Sequence, residues 1–290
     1  MCYQVDNAVI MAAGTASRFA PLSYERPKAL IEVRGEVLIE RQIRQLREAG
    51  IRQIVVVTGY QKEQFLYLRD QFGVEIVENN DYLTRNNNAS IYAARSFLRN
   101  TYICSSDNYF SVNPFASEVD DAYYAAVYVQ GETKEWCMTE GADGYINSVQ
   151  IGGRDAWVML GHTFWNEAFS RKFLEILEKT YDLPETADLL WESIYMAHLD
   201  VLKMKIRKYP ADTIFEFDTL DELRAFDSNY IRNTRSRILA EVAERLRCGQ
   251  EDIVEVTAYK TGSNAAAGMR FRVGRDTYEY PYETGEIRRL

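Results

Sequence analysis

Hydrophobic residues in the first half of the chain follow two alternating patterns. Short apolar runs predict strands over residues 7–12, 51–60, 74–79 and 101–107. Between them, apolar residues recur at helical spacing and predict helices over 38–49, 62–72 and 90–98. This alternation is typical of a parallel sheet with helices on both faces. Ligands bind beyond the carboxyl ends of such strands, where the loop after residue 12 and Asp107 fall.

The second half of the chain is richer in strand patterns. Apolar runs predict strands over 122–130, 135–140, 145–151, 156–161, 201–209 and 213–217, and helices over 166–181 and 187–198. The first four of these strands could form antiparallel pairs that extend or cover the sheet.

Near residue 228 the pattern changes. It predicts a charged amphipathic helix over 230–246 and then a small β-meander over 253–260, 269–274 and 277–283. We therefore predict an α/β domain over 1–228 and a small α+β appendage over 229–290.

Length and charge narrow the function classes. At 290 residues the chain can bury a large core. Its net charge of −9 argues against a nucleic-acid partner and against binding to anionic membranes. If the substrate carries phosphate, a metal ion or a few fixed cations must make the electrostatic potential positive at the binding site.

The sulfur and imidazole groups do not predict a zinc site. The chain has four cysteines without Cys-x-x-Cys spacing and two histidines. Reduced, buried thiols in a cytoplasmic protein are the favoured interpretation. The N-terminus lacks the basic region of a signal peptide, and no apolar run reaches membrane-spanning length.

The loop "MAAGTASRFAPLSYERPKAL", residues 11–30, is the first candidate for chemistry. Its small residues would let backbone N–H groups approach an anion closely. Arg18 and Lys28 can add the positive charge that a triphosphate needs, and Pro27 fixes the backbone before the lysine. A plain surface turn with two solvated cations fits these residues equally well.

The spacing of this loop adds weight to the phosphate interpretation. Gly14-x-x-x-Arg18, then Pro21-Leu22 and Pro27-Lys28-Ala29-Leu30, resembles the signature of nucleotidyltransferases that activate sugar phosphates and alcohol phosphates. Ala16 stands where that signature usually has its second glycine. Because alanine tolerates left-handed backbone angles poorly, we expect a slightly adjusted loop.

The resemblance continues to about residue 227 and becomes more specific. "RNNNASIYAA", "SSDNYF", "KEWC", "DLLWES" and "IFEFD" come in the order found in the bacterial CTP:phosphocholine cytidylyltransferases of the LicC type. The resemblance implies a Rossmann-like nucleotidyltransferase fold with a mixed, mainly parallel sheet. It also implies transfer of CMP from CTP to phosphocholine, which yields CDP-choline and pyrophosphate.

The same resemblance implies roles for individual residues. Asp107 and Asp218 would hold Mg²⁺, and "FEFD" would place Glu216 and Asp218 on one face at period two. Solvated loop acids are the alternative for both aspartates. Arg18 would hold the β- and γ-phosphates and Lys28 the α-phosphate. The expected nucleotide site comprises Ala12, Ala13, Gly14, Thr15, Ala16, Ser17, Arg18, Lys28, Asn88, Ser90 and Asp107.

Asn88 and Ser90 could offer amide and hydroxyl groups to the base or ribose. A helix N-cap is an equally good role for Ser90. No general base is required, because the acceptor phosphate has a second pKa near 6 and is largely ionised at neutral pH.

The acceptor amine would be held by aromatic faces and carboxylates, because a trimethylammonium group cannot donate a hydrogen bond. Trp136 and Trp191 are the candidate faces, and Asp188 and Glu216 the candidate counter-charges. Core packing is the alternative for both tryptophans. Leu190 replaces an aromatic residue expected in this family, which keeps phosphoethanolamine and an aminoethylphosphonate open as acceptors.

The appendage resembles, weakly, the N-terminal β-lobe of choline-kinase-like phosphotransferases, through Ser263-Asn264, Phe271 and Val273. We expect it to be non-catalytic. An unrelated meander that serves packing or a homodimer is the alternative. Two rival functions also remain: a sugar-1-phosphate nucleotidyltransferase, and a catalytically silent nucleotide-binding regulator.

Overall fold

The computed structural model describes residues 2–261 and 265–290. It divides into two compact units. The first, which we call the sheet unit, consists of Met1–Gly14 and Ile39–Glu216. The second, which we call the appendage unit, consists of Thr15–Leu38 and Phe217–Leu290. The predicted boundary at residue 228 stays a prediction.

The strands are β1 (Tyr3–Gln4), β2 (Asn7–Ala12), β3 (Glu32–Val33), β4 (Glu36–Val37), β5 (Gln53–Thr58), β6 (Glu75–Glu78), β7 (Thr101–Ser105), β8 (Asn108–Phe110), β9 (Glu118–Val119), β10 (Tyr123–Glu140), β11 (Ile146–Trp165), β12 (Lys205–Tyr209), β13 (Ile214–Glu216), β14 (Ile253–Tyr259), β15 (Gly268–Val273), β16 (Asp276–Pro281) and β17 (Arg288–Arg289).

The α-helices are α1 (Leu22–Glu25), α2 (Leu38–Glu48), α3 (Tyr67–Phe72), α4 (Asn88–Ala93), α5 (Glu167–Thr180), α6 (Trp191–Met196), α7 (Leu220–Phe226), α8 (Asn229–Arg232) and α9 (Arg237–Leu246). Short 3₁₀ turns lie at Ser17–Phe19, Lys28–Leu30, Lys62–Phe65, Arg95–Phe97, Pro184–Thr186 and Gln250–Asp252.

A mixed sheet forms the centre of the sheet unit, in the order β12-β10-β11-β7-β2-β5-β6. Strands β7, β2, β5 and β6 pair in parallel, and β11 is antiparallel to both of its neighbours. β2 and β5 are buried along almost their whole length, because helices and loops cover both faces of a parallel sheet. The predicted Rossmann-like fold with a mainly parallel sheet is confirmed.

The second half of the sheet unit differs from the prediction in its strand lengths. The four predicted strands between residues 122 and 161 join into the long hairpin of β10 and β11, which have 18 and 20 residues. Gly131 and Gly152, both with positive φ, fall at irregularities of this hairpin. They act as bulges that let pairing continue, and not as strand ends.

Several predicted helices are shorter than expected. The helix predicted over 187–198 spans only Trp191–Met196. The helix predicted over 230–246 is interrupted, because the Ser236 side chain accepts a hydrogen bond from the backbone N–H of Leu239 and starts α9 afresh. The stretch predicted as a helix over 62–72 begins as a 3₁₀ turn before α3.

The appendage unit ends in a four-stranded antiparallel sheet in the order β14-β15-β16-β17. The predicted β-meander is therefore present. Ser263 and Asn264, which carried the resemblance to a kinase lobe, lie outside the described residues. Within 2–261 and 265–290, no helix is long and apolar enough to cross a membrane.

All four cysteines are free thiols. Cys104 and Cys137 are buried, as predicted, but Cys2 is exposed and Cys248 half-buried. The expectation of buried thiols is therefore wrong for these two residues.

His162 lies in an aromatic part of the core and is fully buried. Its Nε2 lies 2.8 Å from the hydroxyl of Tyr123, and the rings of Phe110 and Phe115 pack around it. Burial, and to a smaller extent the charge of Arg207, lowers the pKa of His162 to about 3. The imidazole is therefore neutral in the folded protein at neutral pH.

This histidine predicts acid sensitivity. The unfolded imidazole takes up a proton below its pKa of about 6.5, whereas the folded one does not. Stability is therefore lost as the pH falls from about 6.5 towards 3, by about 2 kcal/mol between pH 7 and pH 5. Urea unfolding at pH 7 and pH 5 should show that His162→Gln loses about 2 kcal/mol less of its free energy of unfolding between these two pH values than the unchanged protein does. His198→Gln is the matched control; equal pH slopes for all three proteins would contradict this assignment.

Candidate active site

The carboxyl edge of the parallel sheet gathers the first group of predicted residues. β2 ends at Ala12 and β7 at Ser105, and the register pairs Met11 with Ser105. Ala13 and Asp107 therefore follow neighbouring strands at the same edge. The edge is tightly packed: a Cβ atom on Gly59 would lie 2.9 Å from the carbonyl oxygen of Ala13.

Asp107 is followed at once by a short strand pair that brings in Glu216. β8 and β13 are antiparallel and pair Asn108 with Glu216, and the Asn108 amide donates to the Glu216 carboxylate at 3.3 Å. Gln42 holds this turn by donating to the carbonyl oxygens of Ser105 and Asn108, each at 2.9 Å. β13 ends at Glu216, so the predicted period-two alternation does not extend to Asp218.

Arg18, Lys28 and Asp218 meet within the appendage unit. The Arg18 guanidinium lies 2.7 Å and the Lys28 ammonium 3.6 Å from the two oxygens of Asp218. The Lys28 side chain is only 6% exposed, against 76% for Arg18. The alternative of two solvated surface cations is therefore wrong for Lys28, because a buried ammonium needs a fixed partner.

The loop before Arg18 keeps a left-handed residue despite lacking the usual glycine. Ala16 has φ 45° and ψ 44°. Its carbonyl oxygen accepts hydrogen bonds from the Ser23 hydroxyl at 2.8 Å and the Phe19 N–H at 2.9 Å. These bonds hold the alanine in a conformation that it adopts reluctantly. The expected adjustment of the loop stays a prediction.

Relief of this strain is measurable. Ala16→Gly should raise the free energy of unfolding by about 1 kcal/mol, because glycine adopts left-handed angles without penalty. Ala187→Gly is the matched control, since Ala187 has φ −56° and glycine there should destabilise. Urea unfolding of both variants tests this assignment, and a destabilised Ala16→Gly protein would contradict it.

Asn88 and Ser90 have structural partners inside the sheet unit. Asn88 is fully buried; its amide donates to the carbonyl oxygens of Thr186 (3.0 Å) and Leu189, and so holds the loop that carries Asp188. Ser90 lies inside α4 and accepts from the Asn79 amide at 3.2 Å. The alternative of Ser90 as an N-cap is wrong, because Asn87 precedes α4.

The four predicted amine residues occupy different environments. Trp191 is 1% exposed, stacks on Tyr124 with ring centroids 5.7 Å apart and contacts Trp165, so its packing favours the core alternative. Trp136 is half-buried at the margin of the same core. Asp188 and Glu216 are exposed.

Glu192 is a candidate that the sequence did not reveal. Its carboxylate accepts from the Asn87 amide at 3.0 Å and from the Tyr124 hydroxyl at 3.4 Å. Burial raises the pKa of Glu192 to about 7. In the sequence it is an ordinary acid in "DLLWES", and only its packing against Tyr124 distinguishes it. Burial, and to a smaller extent the charges of Glu192 and Glu216, raises the pKa of Tyr124.

A metal ion would have few protein ligands here. Among residues 2–261 and 265–290, no group of three or more carboxylate, imidazole or thiol side chains could hold a metal ion. Mg²⁺ in proteins is usually held by one or two carboxylates together with substrate phosphates and waters.

The family of the chain follows from comparison with known proteins. The model of the MobA-like NTP transferase domain matches residues 8–179. The chain belongs to the MobA-like NTP transferase family. It is therefore a nucleotidyltransferase, as predicted, and members of this family generally use a divalent metal ion.

Two relatives are similar to this MobA-like transferase over most of its length. It is 32% identical over 221 residues to a choline-phosphate cytidylyltransferase of Streptococcus pneumoniae, an alignment that covers 76% of this chain and 96% of the relative. It is 36% identical over 234 residues to a 2-aminoethylphosphonate cytidylyltransferase of Lancefieldella rimae, with 79% and 95% covered.

A solved structure of the CTP:phosphocholine cytidylyltransferase from Streptococcus pneumoniae (LicC) superposes on this transferase with a TM-score of 0.74. The two chains are 32% identical, and the match covers 78% of this chain and 99% of the other. The resemblance to cytidylyltransferases of the LicC type is thereby confirmed.

Proposed function

We propose that this nucleotidyltransferase moves CMP from CTP to a phosphorylated amino-alcohol, with phosphocholine as the first candidate acceptor. The observation that carries the proposal is the cluster of Arg18, Lys28 and Asp218, which holds two cations at 2.7 and 3.6 Å from one carboxylate. The acceptors named for the two relatives share a short amine and a phosphorus group, which supports an acceptor of that class.

The reaction requires little proton chemistry. A phosphate oxygen of the acceptor attacks the α-phosphorus of CTP; the new bond forms there while the bond to the β-phosphate oxygen breaks and pyrophosphate leaves. The acceptor phosphate is already ionised, so no general base is needed. The buried, neutral His162 fits this requirement.

The chain's contribution is positive charge and fixed backbone at the triphosphate. Apart from its two chain neighbours, a Cβ atom on Gly14 would meet no atom within 4 Å, so the chain here lies beside open space. Lys28 would hold the α-phosphate and Arg18 the β- and γ-phosphates, where charge on the leaving pyrophosphate develops. Asp218 orients both cations.

Asp107 and Asp218 are the proposed Mg²⁺ ligands, together with phosphate oxygens and waters. The support is chemical: carboxylate oxygens are hard ligands, and the described residues contain no larger donor cluster. When bound, the ion would neutralise charge on the triphosphate.

For the acceptor amine we propose Trp136 as the aromatic face, with Asp188 and Glu216 as counter-charges, and we leave out Trp191 because it is buried in the core. Leu190 offers no ring, so phosphoethanolamine and an aminoethylphosphonate remain alternative acceptors. A cytoplasmic location is part of the proposal, supported by four free thiols. A homodimer stays a prediction.

The deciding experiment is a pyrophosphate-release assay with CTP and Mg²⁺. Acceptors are phosphocholine, phosphoethanolamine, 2-aminoethylphosphonate and glucose 1-phosphate, each also run with UTP. We expect release with CTP and one of the three amines. Turnover with the sugar phosphate alone would favour a sugar nucleotidyltransferase, and no turnover with any pair would favour a silent regulator.

The metal assignment makes its own prediction. Asp107→Asn should lower kcat about 100-fold or more, because a hard charged oxygen is lost where charge must be neutralised. The exposed Asp182→Asn is the matched control. Near-normal turnover of Asp107→Asn, with circular dichroism unchanged, would remove this residue from the site.

The aromatic face can be tested by selectivity. Trp136→Leu should lower kcat/KM for phosphocholine about 5- to 30-fold and should affect phosphoethanolamine less, because a primary amine can hydrogen-bond to a carboxylate instead. Trp157→Leu, also half-buried in the long hairpin, is the control. Equal losses for both amines would show that Trp136 supports packing only.

A further inference from the structure

The segment Thr15–Leu38, which carries Arg18 and Lys28, is built from very short pieces. α1 has four residues, and the 3₁₀ turns on either side of it have three residues each. One-turn elements do not sustain themselves, since most helical stability in proteins comes from packing against other elements. The position of Lys28 therefore depends on what holds this segment from outside.

The appendage, residues 229–290, holds the segment on the N-terminal side of Lys28. The Glu25 carboxylate accepts the backbone N–H groups of Arg237 at 2.9 Å and Ile238 at 3.2 Å, the first two of α9. These donors have no partner within the helix, and a carboxylate there also meets the positive end of the helix dipole. Next to it, the ring of Tyr24 stacks on Tyr282 with centroids 4.1 Å apart.

The appendage also holds the segment on the C-terminal side of Lys28. The Tyr230 hydroxyl donates to the carbonyl oxygen of Glu32 at 2.6 Å. The Arg235 guanidinium pairs with the Glu32 carboxylate at 2.9 Å. Tyr230 is 1% exposed, so its hydrogen bond is shielded from water.

Lys28 thus lies between two attachment points, at residues 24–25 and at residue 32. Every one of these contacts lies within the appendage unit. We infer that the appendage is a brace that positions Lys28 for the α-phosphate. The main positioning residue is Glu25 of the segment, through which the appendage holds α1. The inference rests on the proposed function and gives residues 229–290 a part in nucleotide binding without any catalytic group of their own.

Glu25 provides the sharpest test, because two substitutions separate its hydrogen bonds to the N-terminus of α9 from its negative charge. Glu25→Gln keeps an oxygen that accepts from the α9 N–H groups, whereas Glu25→Ala removes it. Glu25→Ala should lower kcat/KM for CTP about 10-fold at 25 °C, with KM for the amine changed less than 2-fold. For Glu25→Gln, kcat/KM for CTP should stay within about 3-fold of the value of the unchanged protein. The exposed Glu244→Ala, with the same charge change on α9, is the control.

Hydrogen exchange gives a readout that does not depend on the substrate. The N–H groups of Arg26, Leu30 and Ile31 donate to carbonyl oxygens inside the segment at 2.9, 2.8 and 3.1 Å. Glu25→Ala should speed the exchange of peptides covering these amides at least 10-fold, and Glu244→Ala should not. Unchanged exchange would overturn the brace whatever the activity of the protein.

The two measurements keep this inference separate from the proposed function. Faster exchange without any CTP turnover in the unchanged protein would support the brace and contradict the proposed reaction. Should Glu25→Ala not fold, Tyr24→Ala takes its place, with Tyr24→Phe expected to restore kcat/KM for CTP because it keeps the stacked ring. A lower unfolding temperature with unchanged kinetics and exchange would reduce the appendage to a structural role.

Discussion

A nearly buried ammonium group is the constraint on which the arrangement of the appendage unit depends. The Lys28 side chain is 6% exposed, and a charge removed from water is tolerated only beside a fixed partner. Asp218 supplies that partner at 3.6 Å and binds Arg18 with its other oxygen. A chain with net charge −9 can thus present concentrated positive charge to a triphosphate.

The central sheet could be predicted from the sequence because burial on both faces leaves a direct trace. Asn7–Ala12 and Gln53–Thr58 contain apolar runs that a parallel sheet covered on both faces buries almost completely. Element boundaries were harder. Gly131 and Gly152 resemble strand ends in the sequence, yet in the long hairpin they are bulges, and whether pairing resumes depends on the partner strand.

The candidate site could be predicted only in part, for a similar reason. Topology alone places Ala13 and Asp107 at one edge of the sheet. The burial of Trp191, however, is decided by Tyr124 and Trp165, which are distant in sequence. The raised pKa of Glu192 likewise depends on long-range packing. The role of a polar or aromatic residue can be predicted from the sequence only when neighbouring residues in the chain determine its surroundings.

In a transfer reaction without a general base, catalysis depends on the positions of the reactants and of the charged groups around them, and not on proton transfer. The left-handed Ala16 is consistent with this dependence, because its conformation costs about 1 kcal/mol that a glycine would avoid. Such strain persists only where surrounding bonds over-determine it, as the bonds from Ser23 and Phe19 do here. If charge placement is the main catalytic device, the contacts that hold Thr15–Leu38 belong to the function as much as Arg18 and Lys28 do. The packing of residues 229–290 against this segment is then where we expect this chain to tune its affinity for CTP.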